Sequence, residues 1–178
     1  MAAADRHPVA ARHGVPVRSL ATINDPAYLR TLGERHVDVL LSVASPELFR
    51  AAALQAAPYV LNVHCGKLPI YRGMMPTFWA LHEGESQIVI TVHEMAEQLD
   101  AGGVLAEYPV SVAPADSAFD LAVRAKRVAG REVARLLARL RSATWPQPHP
   151  VDMARQRYFR FPTRQHAREL RASGRRML

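Results

Sequence analysis

Two kinds of apolar pattern alternate along this chain. Short runs rich in β-branched residues read as buried strands: "VDVLLSV" at 37–43, "YVLNVH" at 59–64, "QIVITVHEM" at 87–95 and "GVLAEYPVSV" at 103–112. "VPVRSL" at 15–20 reads as a further short strand, and "RYFRF" at 157–161 as a last one. Between these runs lie segments that begin with cap signals. Asp25 followed by Pro26 opens a helix over "NDPAYLRTLGERH", and Ser45 followed by Pro46 opens one reaching Ala57. "MPTFWALHEG" predicts a short helix from Pro76, closed by Gly84. Asp116 or Ser117 caps a long helix to about Arg141, with Leu121, Ala125, Val128, Val133, Leu136 and Leu140 at helical spacing. Residues 2–13 and 163–173 predict helices at the two ends, and "AEQLDAGG" reads as a loop or hairpin between strands.

Alternating strands and helices in the first 65 residues call for right-handed crossovers and a mainly parallel sheet. Ligands of such sheets bind beyond the carboxyl ends of the strands. "YVLNVH" ends on Asn62 and His64, two residues apart, so both side chains point to one side. An amide and an imidazole side by side can hydrogen-bond a carbonyl oxygen that gains negative charge, and the imidazole can pass a proton. The pair lacks a carboxylate. Asp100 is the candidate, in a loop where Gly102 and Gly103 allow close backbone approach. An amide, an imidazole and a carboxylate that orients it suit acyl-type transfer to an amine. Cys65 adjoins His64, but neighbours on a strand face opposite ways, which argues against a nucleophilic dyad. His93 reads as a mid-strand structural histidine and His82 as solvated.

Composition narrows the setting. The chain has 178 residues, 49% of them hydrophobic, which suits one globular domain with a real core. No apolar run has the length of a membrane span, and the start lacks the apolar stretch of a secretory signal. A single cysteine excludes an internal disulfide, and no motif has the ligand count of a metal site. A cytoplasmic protein is expected. Of the net charge of +7, most lies in residues 151–178, where eight arginines face Asp152 and Glu169. That tail reads as a solvated extension or as a footprint for RNA or another polyanion. Lys67 and Lys126 are the only lysines, so the preference for arginine is chain-wide. The expected division is a catalytic unit at 1–145 and a proline-broken linker with basic extension at 146–178, the latter dispensable for ligand binding.

Taken in order, "NVH" at 62–64, "LPIYRG" at 68–73, "FWALHEGE" at 78–85, "TVHEM" at 91–95 and "LDAG" at 99–102 resemble the formyltransferases that use 10-formyltetrahydrofolate. These include the glycinamide ribonucleotide, methionyl-tRNA and sugar N-formyltransferases. The resemblance implies an α/β, Rossmann-like three-layer fold with a mainly parallel sheet, here without the family's first strand. It implies an enzyme that moves a formyl group from 10-formyltetrahydrofolate to an amine of a small molecule, without a metal. Asn62 would bond the formyl oxygen, His64 would stabilise the oxyanion and move a proton, and Asp100 would orient His64 and hold a relaying water. Gly66, Lys67, Leu68 and Pro69 would line the folate side, Ser45, Pro46 and Leu48 would meet the pterin, and Met95 would lie near it. Gly66 stands where the family commonly has another residue, as does Val89. Two alternatives stay open: hydrolysis of the same donor, and a non-catalytic remnant that binds RNA or protein through its tail. An unpaired sheet edge would favour self-association.

Overall fold

The computed structural model describes residues 8–142 and 144–178. In chain order its elements are α1 (Pro8–Arg12), α2 (Pro26–Glu34), β1 (Val39–Val43), α3 (Ala51–Leu54), β2 (Tyr59–His64) and β3 (Arg72–Gly73). They continue with α4 (Pro76–His82), β4 (Gln87–Glu94), β5 (Val104–Ser111), α5 (Ala118–Arg141), β6 (Tyr158–Phe159) and α6 (Arg164–Ala172). The expected caps set two of these boundaries. The Asp25 carboxylate accepts the N–H groups of Ala27 and Tyr28 at 2.7 and 3.1 Å, with Pro26 opening α2. Ser117 and Asp120 form a reciprocal capping box on α5.

The main sheet has the order β1-β2-β4-β5. β1 and β2 run parallel, β4 runs antiparallel to both its neighbours, and β5 therefore points the same way as β1 and β2. Three of the four strands share one direction, as the expected α/β fold requires. β2 alternates between two cores. Leu61 and Val63 join Ile88, Ile90 and Val92 of β4 in the large cluster, with Leu121, Ala125, Val133 and Leu136 of α5. Val60 joins Phe49 and Ala53 in a smaller cluster, against Leu29 of α2. The sheet is thus the middle of three layers. No helix among the described residues is long and apolar enough to cross a membrane.

Two expectations are corrected. Residues 15–20 form no strand: Val15 and Leu20 are 56% and 41% exposed, and Pro16 has no N–H to offer a neighbour. The helix expected from Pro46 begins only at Ala51, and Ser45 does not cap it. The loop before α2 takes up the backbone groups that an earlier helix start would use. Asn24 Oδ1 accepts the Arg50 N–H at 2.8 Å, Asn24 Nδ2 donates to the Leu48 carbonyl at 3.0 Å, and Thr22 donates to Glu47 at 2.6 Å. The helix expected at 2–13 is described only as α1, and residues 2–7 lie outside the described residues.

Residues 146–178 pack against the rest of the structure. Val104 and His149 exchange both backbone hydrogen bonds, at 2.7 and 2.8 Å, pinning the linker to β5. β6 then pairs in parallel with β3. Phe159 stacks on Tyr71 and Trp79, with ring centroids 5.6 and 4.8 Å away. Trp79 Nε1 donates to the Arg160 carbonyl at 3.0 Å, and Leu170 of α6 is 1% exposed in the large cluster. Part of the tail's charge is used internally: Arg157 pairs with Glu83, and Arg175 donates to the carbonyls of Ala113 and Pro114.

Candidate active site

β2 and β4 put four polar side chains on one face. Their register places Asn62 opposite His93 and His64 opposite Thr91. Alternation directs these away from Leu61, Val63 and Val92, which fill the core behind. The loop 95–103 folds back over this polar face. Gly102 makes that close approach possible: a Cβ there would lie 1.9 Å from the Glu94 carbonyl oxygen. The loop delivers Asp100 in the left-handed conformation, φ +50°, which aspartate tolerates better than most residues.

Asp100 is held from two sides. Its Oδ2 accepts the Gly73 N–H at 2.8 Å. Its Oδ1 lies 3.4 Å from Asn62 Nδ2, 3.8 Å from His64 Nδ1 and 3.7 Å from His93 Nε2. Asp100 and His64 are each 7% exposed and His93 1%, whereas Asn62 is half-buried and open to solvent. The structure therefore brings Asn62, His64 and Asp100 together from two separate stretches of chain, β2 and the 95–103 loop.

Hydrogen bonds fix the protons of both imidazoles. His64 Nε2 lies 2.5 Å from the Tyr71 carbonyl oxygen, so Nε2 carries the proton and donates it. Nδ1 is then the atom that can take up a proton, on the side of Asp100. Tyr71 is itself anchored, its hydroxyl donating to Glu83 and Glu85 at 2.9 and 2.8 Å. Burial and these two carboxylates push its phenol far above the ordinary range. His93 Nδ1 donates to the Glu94 carbonyl at 2.7 Å, which leaves Nε2 an acceptor for Asn62 Nδ2 at 3.2 Å. Burial holds the His93 imidazole below its ordinary pKa, outweighing the Glu94 carbonyl and the Asp100 carboxylate. The Asn62 amide is consequently oriented with nitrogen toward His93.

His93, expected as a structural mid-strand histidine, stands beside Asn62 and Asp100. "TVH" repeats the i, i+2 spacing of "NVH", and pairing the two strands puts both histidines on one face. Arg72, within "LPIYRG", is also buried here, donating to the Leu99 carbonyl and to Gln156. Cys65 is half-buried, and burial pushes its thiol up against the opposing effect of Lys126, so it is a poor nucleophile.

The residues expected on the ligand side divide by exposure. Ser45, Pro46 and Leu48 are exposed, Leu48 by 63%. Leu48 borders an open cleft of about 590 Å³ that also includes Thr22, Asn24, Phe49, Arg50 and Glu97 of the Asp100 loop. Met95 is half-buried and packs on the Phe49 cluster. In the 66–69 turn only Lys67 is exposed; Gly66, Leu68 and Pro69 are buried. Thr91 anchors this turn by donating to the Gly66 carbonyl at 2.8 Å. A cleft of similar size, about 520 Å³, lies at the opposite end of β1 and β2 beside Val37 and Pro58, away from all the polar side chains above.

The formyl transferase sequence profile matches residues 4–137. Among solved structures, a sugar N-formyltransferase from a Shewanella species superposes with TM-score 0.69 at 17% identity, covering 94% of this chain and 71% of that one. Glycinamide ribonucleotide transformylase 1 from Symbiobacterium toebii is 27% identical, with TM-score 0.65, over 78% of this chain and 71% of that one. The N-formyltransferase from Helicobacter canadensis, solved with folinic acid and dTDP-3-aminofucose, matches 88% of this chain and 53% of that one, at 16% identity and TM-score 0.65.

Proposed function

The chain belongs to the formyl transferase family, and on that premise we propose that it transfers a formyl group from 10-formyltetrahydrofolate to an amino group of a small-molecule acceptor. The observation that carries this reading is the convergence of Asn62, His64 and Asp100 within 3.8 Å of one carboxylate oxygen, at the carboxyl end of β2.

Each residue has a task that its geometry allows. One N–H of Asn62 is spent on His93; the other makes only the long 3.4 Å contact to Asp100. A formyl oxygen at the site would compete for that second N–H. Attack by a neutral amine builds negative charge on that oxygen, and an oriented donor stabilises it. The attacking nitrogen gains a positive charge and must lose a proton. His64 Nδ1 is the free basic atom, and Asp100 stands beside it to hold the resulting imidazolium or a relaying water; the proton passes on to N10 of the folate as the bond from N10 to the formyl carbon breaks and tetrahydrofolate leaves.

On the donor side, the exposed Ser45, Pro46 and Leu48 and the adjoining cleft offer an open wall for a flat bicyclic ring, and Lys67 offers a cation for an anionic tail. The folinic acid and amino-sugar nucleotide of the Helicobacter canadensis neighbour support a folate donor and a small amine acceptor.

The test is formate release and N-formyl product formation from 10-formyltetrahydrofolate, with and without a panel of nucleotide-linked amino sugars and glycinamide ribonucleotide. Amine-dependent product is expected. Equal formate release without any amine would make the protein a hydrolase of the donor, and no turnover with unaltered folate binding would leave it a binding protein.

A further inference from the structure

Arg72 is 5% exposed, yet among the described residues no carboxylate lies within ion-pair distance of its guanidinium. A buried cation without a counter-ion must be satisfied by dipoles. Here its Nε and Nη2 both donate to the carbonyl of Leu99, the Nε at 3.1 Å, and its Nη1 donates to the side-chain oxygen of Gln156. Leu99 is the residue before Asp100, and Gly73, the residue after Arg72, gives its N–H to the Asp100 carboxylate at 2.8 Å.

We propose that Arg72 is a positioning residue for Asp100, and that β6 of the C-terminal segment braces it. Two consecutive residues of β3 grip two consecutive parts of the aspartate loop. Arg72 fixes the peptide that enters Asp100, and Gly73 fixes the carboxylate that leaves it. That double grip holds a non-glycine residue at φ +50° with its carboxylate toward Asn62, His64 and His93. β3 has only two residues and cannot hold itself. Its backbone is bonded from the other side by β6, with Arg72 N–H on the Arg157 carbonyl at 3.3 Å and Met74 N–H on the Phe159 carbonyl at 2.9 Å. Gly73 is required at this crossing, because it has φ +92° and a Cβ would lie 2.3 Å from the Phe159 carbonyl oxygen. The tail therefore reaches the reacting groups through one side chain and one strand pair.

Arginine suits the task where lysine does not. A guanidinium presents a planar fork that can place two donors on one carbonyl and a third on Gln156, whereas an ammonium is a compact point charge. A misplaced Asp100 carboxylate would cost rate more than ligand affinity, since displacements of about 1 Å cost up to about 100-fold in catalysis.

The inference rests on the proposed role of Asp100 in formyl transfer, so its test has two arms. In the first, Arg72→Lys and Gln156→Ala are assayed for formyl transfer. Arg72→Lys is expected to lose about 10- to 100-fold in kcat, with the KM for 10-formyltetrahydrofolate nearly unchanged, and Gln156→Ala to lose less in the same pattern. The second arm needs no reaction: amide hydrogen exchange is followed at Gly73 and at the β3–β6 bonds of residue 72 and Met74. Faster exchange at Gly73, with residue 72 and Met74 still protected, is the expected signature of a released Asp100. Wild-type kcat and wild-type Gly73 protection in a folded Arg72→Lys would overturn the proposal. Uniform loss of protection at all three amides would also overturn it, by showing general loosening instead. Should Arg72→Lys fail to fold, Gln156→Ala decides by the same two readouts. A wild-type protein that transfers no formyl group would sink the reading of the site, while the exchange arm would still decide the grip.

Discussion

Asn62 and His93 face each other across β2 and β4, amide nitrogen to Nε2 at 3.2 Å. The contact exists only while His93 is neutral, because a proton on Nε2 would turn the acceptor into a donor. Burial already disfavours that proton. The sign of the pH effect follows. In the unfolded chain His93 titrates near pH 6.5; in the folded chain it titrates lower. Between these values the unfolded state binds the proton and the folded state refuses it, so stability falls as pH drops through about 6.5. Each unit of depression corresponds to about 1.4 kcal/mol. His93→Gln keeps an acceptor for Asn62 and removes the titration. Urea unfolding at pH 7 and pH 5 should show a smaller acid loss in His93→Gln than in the wild type; equal losses would show that His93 does not control this limb.

The docked tail makes a second prediction. Phe159 lies between Tyr71 and Trp79, both of them core residues at 5% and 8% exposure. Phe159→Ala leaves a void beside two large rings. A loss of about 2 to 4 kcal/mol is expected, read as a lower urea midpoint with unchanged slope. Removal of residues 151–178 should do more, exposing Trp79 and removing Leu170 from the core. A truncated chain with the stability of the whole one would show that the tail rests on the surface without contributing.

Much of this fold was legible because its signals are local. The β-branched runs gave the strands of the main sheet, and Asp25 and Ser117 marked helix starts by side chains that bond their own next turn. Apart from Pro16, which interrupts the run at 15–20, what the sequence hides is long-range. Nothing in "SPELFRAAALQAA" tells that Asn24 will claim the Arg50 N–H. Nothing in "RYFRF" tells that its partner is a two-residue strand more than eighty positions earlier. The site divides the same way. Asn62 and His64 followed from i, i+2 alternation, and Asp100 from a glycine-rich loop. His93 needed the strand register, and Arg72 needed to be seen buried without a carboxylate, before either could be given a role.

β1 forms one edge of the main sheet, with no described strand on its outer side. Its Val39, Leu40 and Leu41 are only half-buried and Val43 is 59% exposed. An open edge with apolar side chains is a template for pairing with another copy. Light scattering should show self-association that rises with concentration, and Val43→Lys should weaken it by placing a charge on the edge. A wild-type chain that stays monomeric at high concentration would remove this expectation.

The sharpest test of the chemistry is the pair His64 and Asp100. His64 donates from Nε2 to the Tyr71 carbonyl and turns Nδ1 to Asp100 Oδ1 at 3.8 Å. That gap is too long for a direct hydrogen bond and short enough for charge attraction once Nδ1 is protonated. Asp100→Asn keeps the shape, the Gly73 contact and the loop, and removes the charge. Formyl transfer is expected to fall about 10²- to 10⁴-fold, with folate affinity changed far less. His64→Ala should cost a similar amount. If Asp100 works by stabilising a proton on Nδ1, its charge has nothing to act on once the imidazole is gone. The double variant should then lose much less than the product of the two single losses. Transfer to one common amine acceptor by the three variants measures this directly. Near wild-type turnover in Asp100→Asn would falsify the assignment, and fully multiplicative losses would mean that Asp100 and His64 act on separate steps.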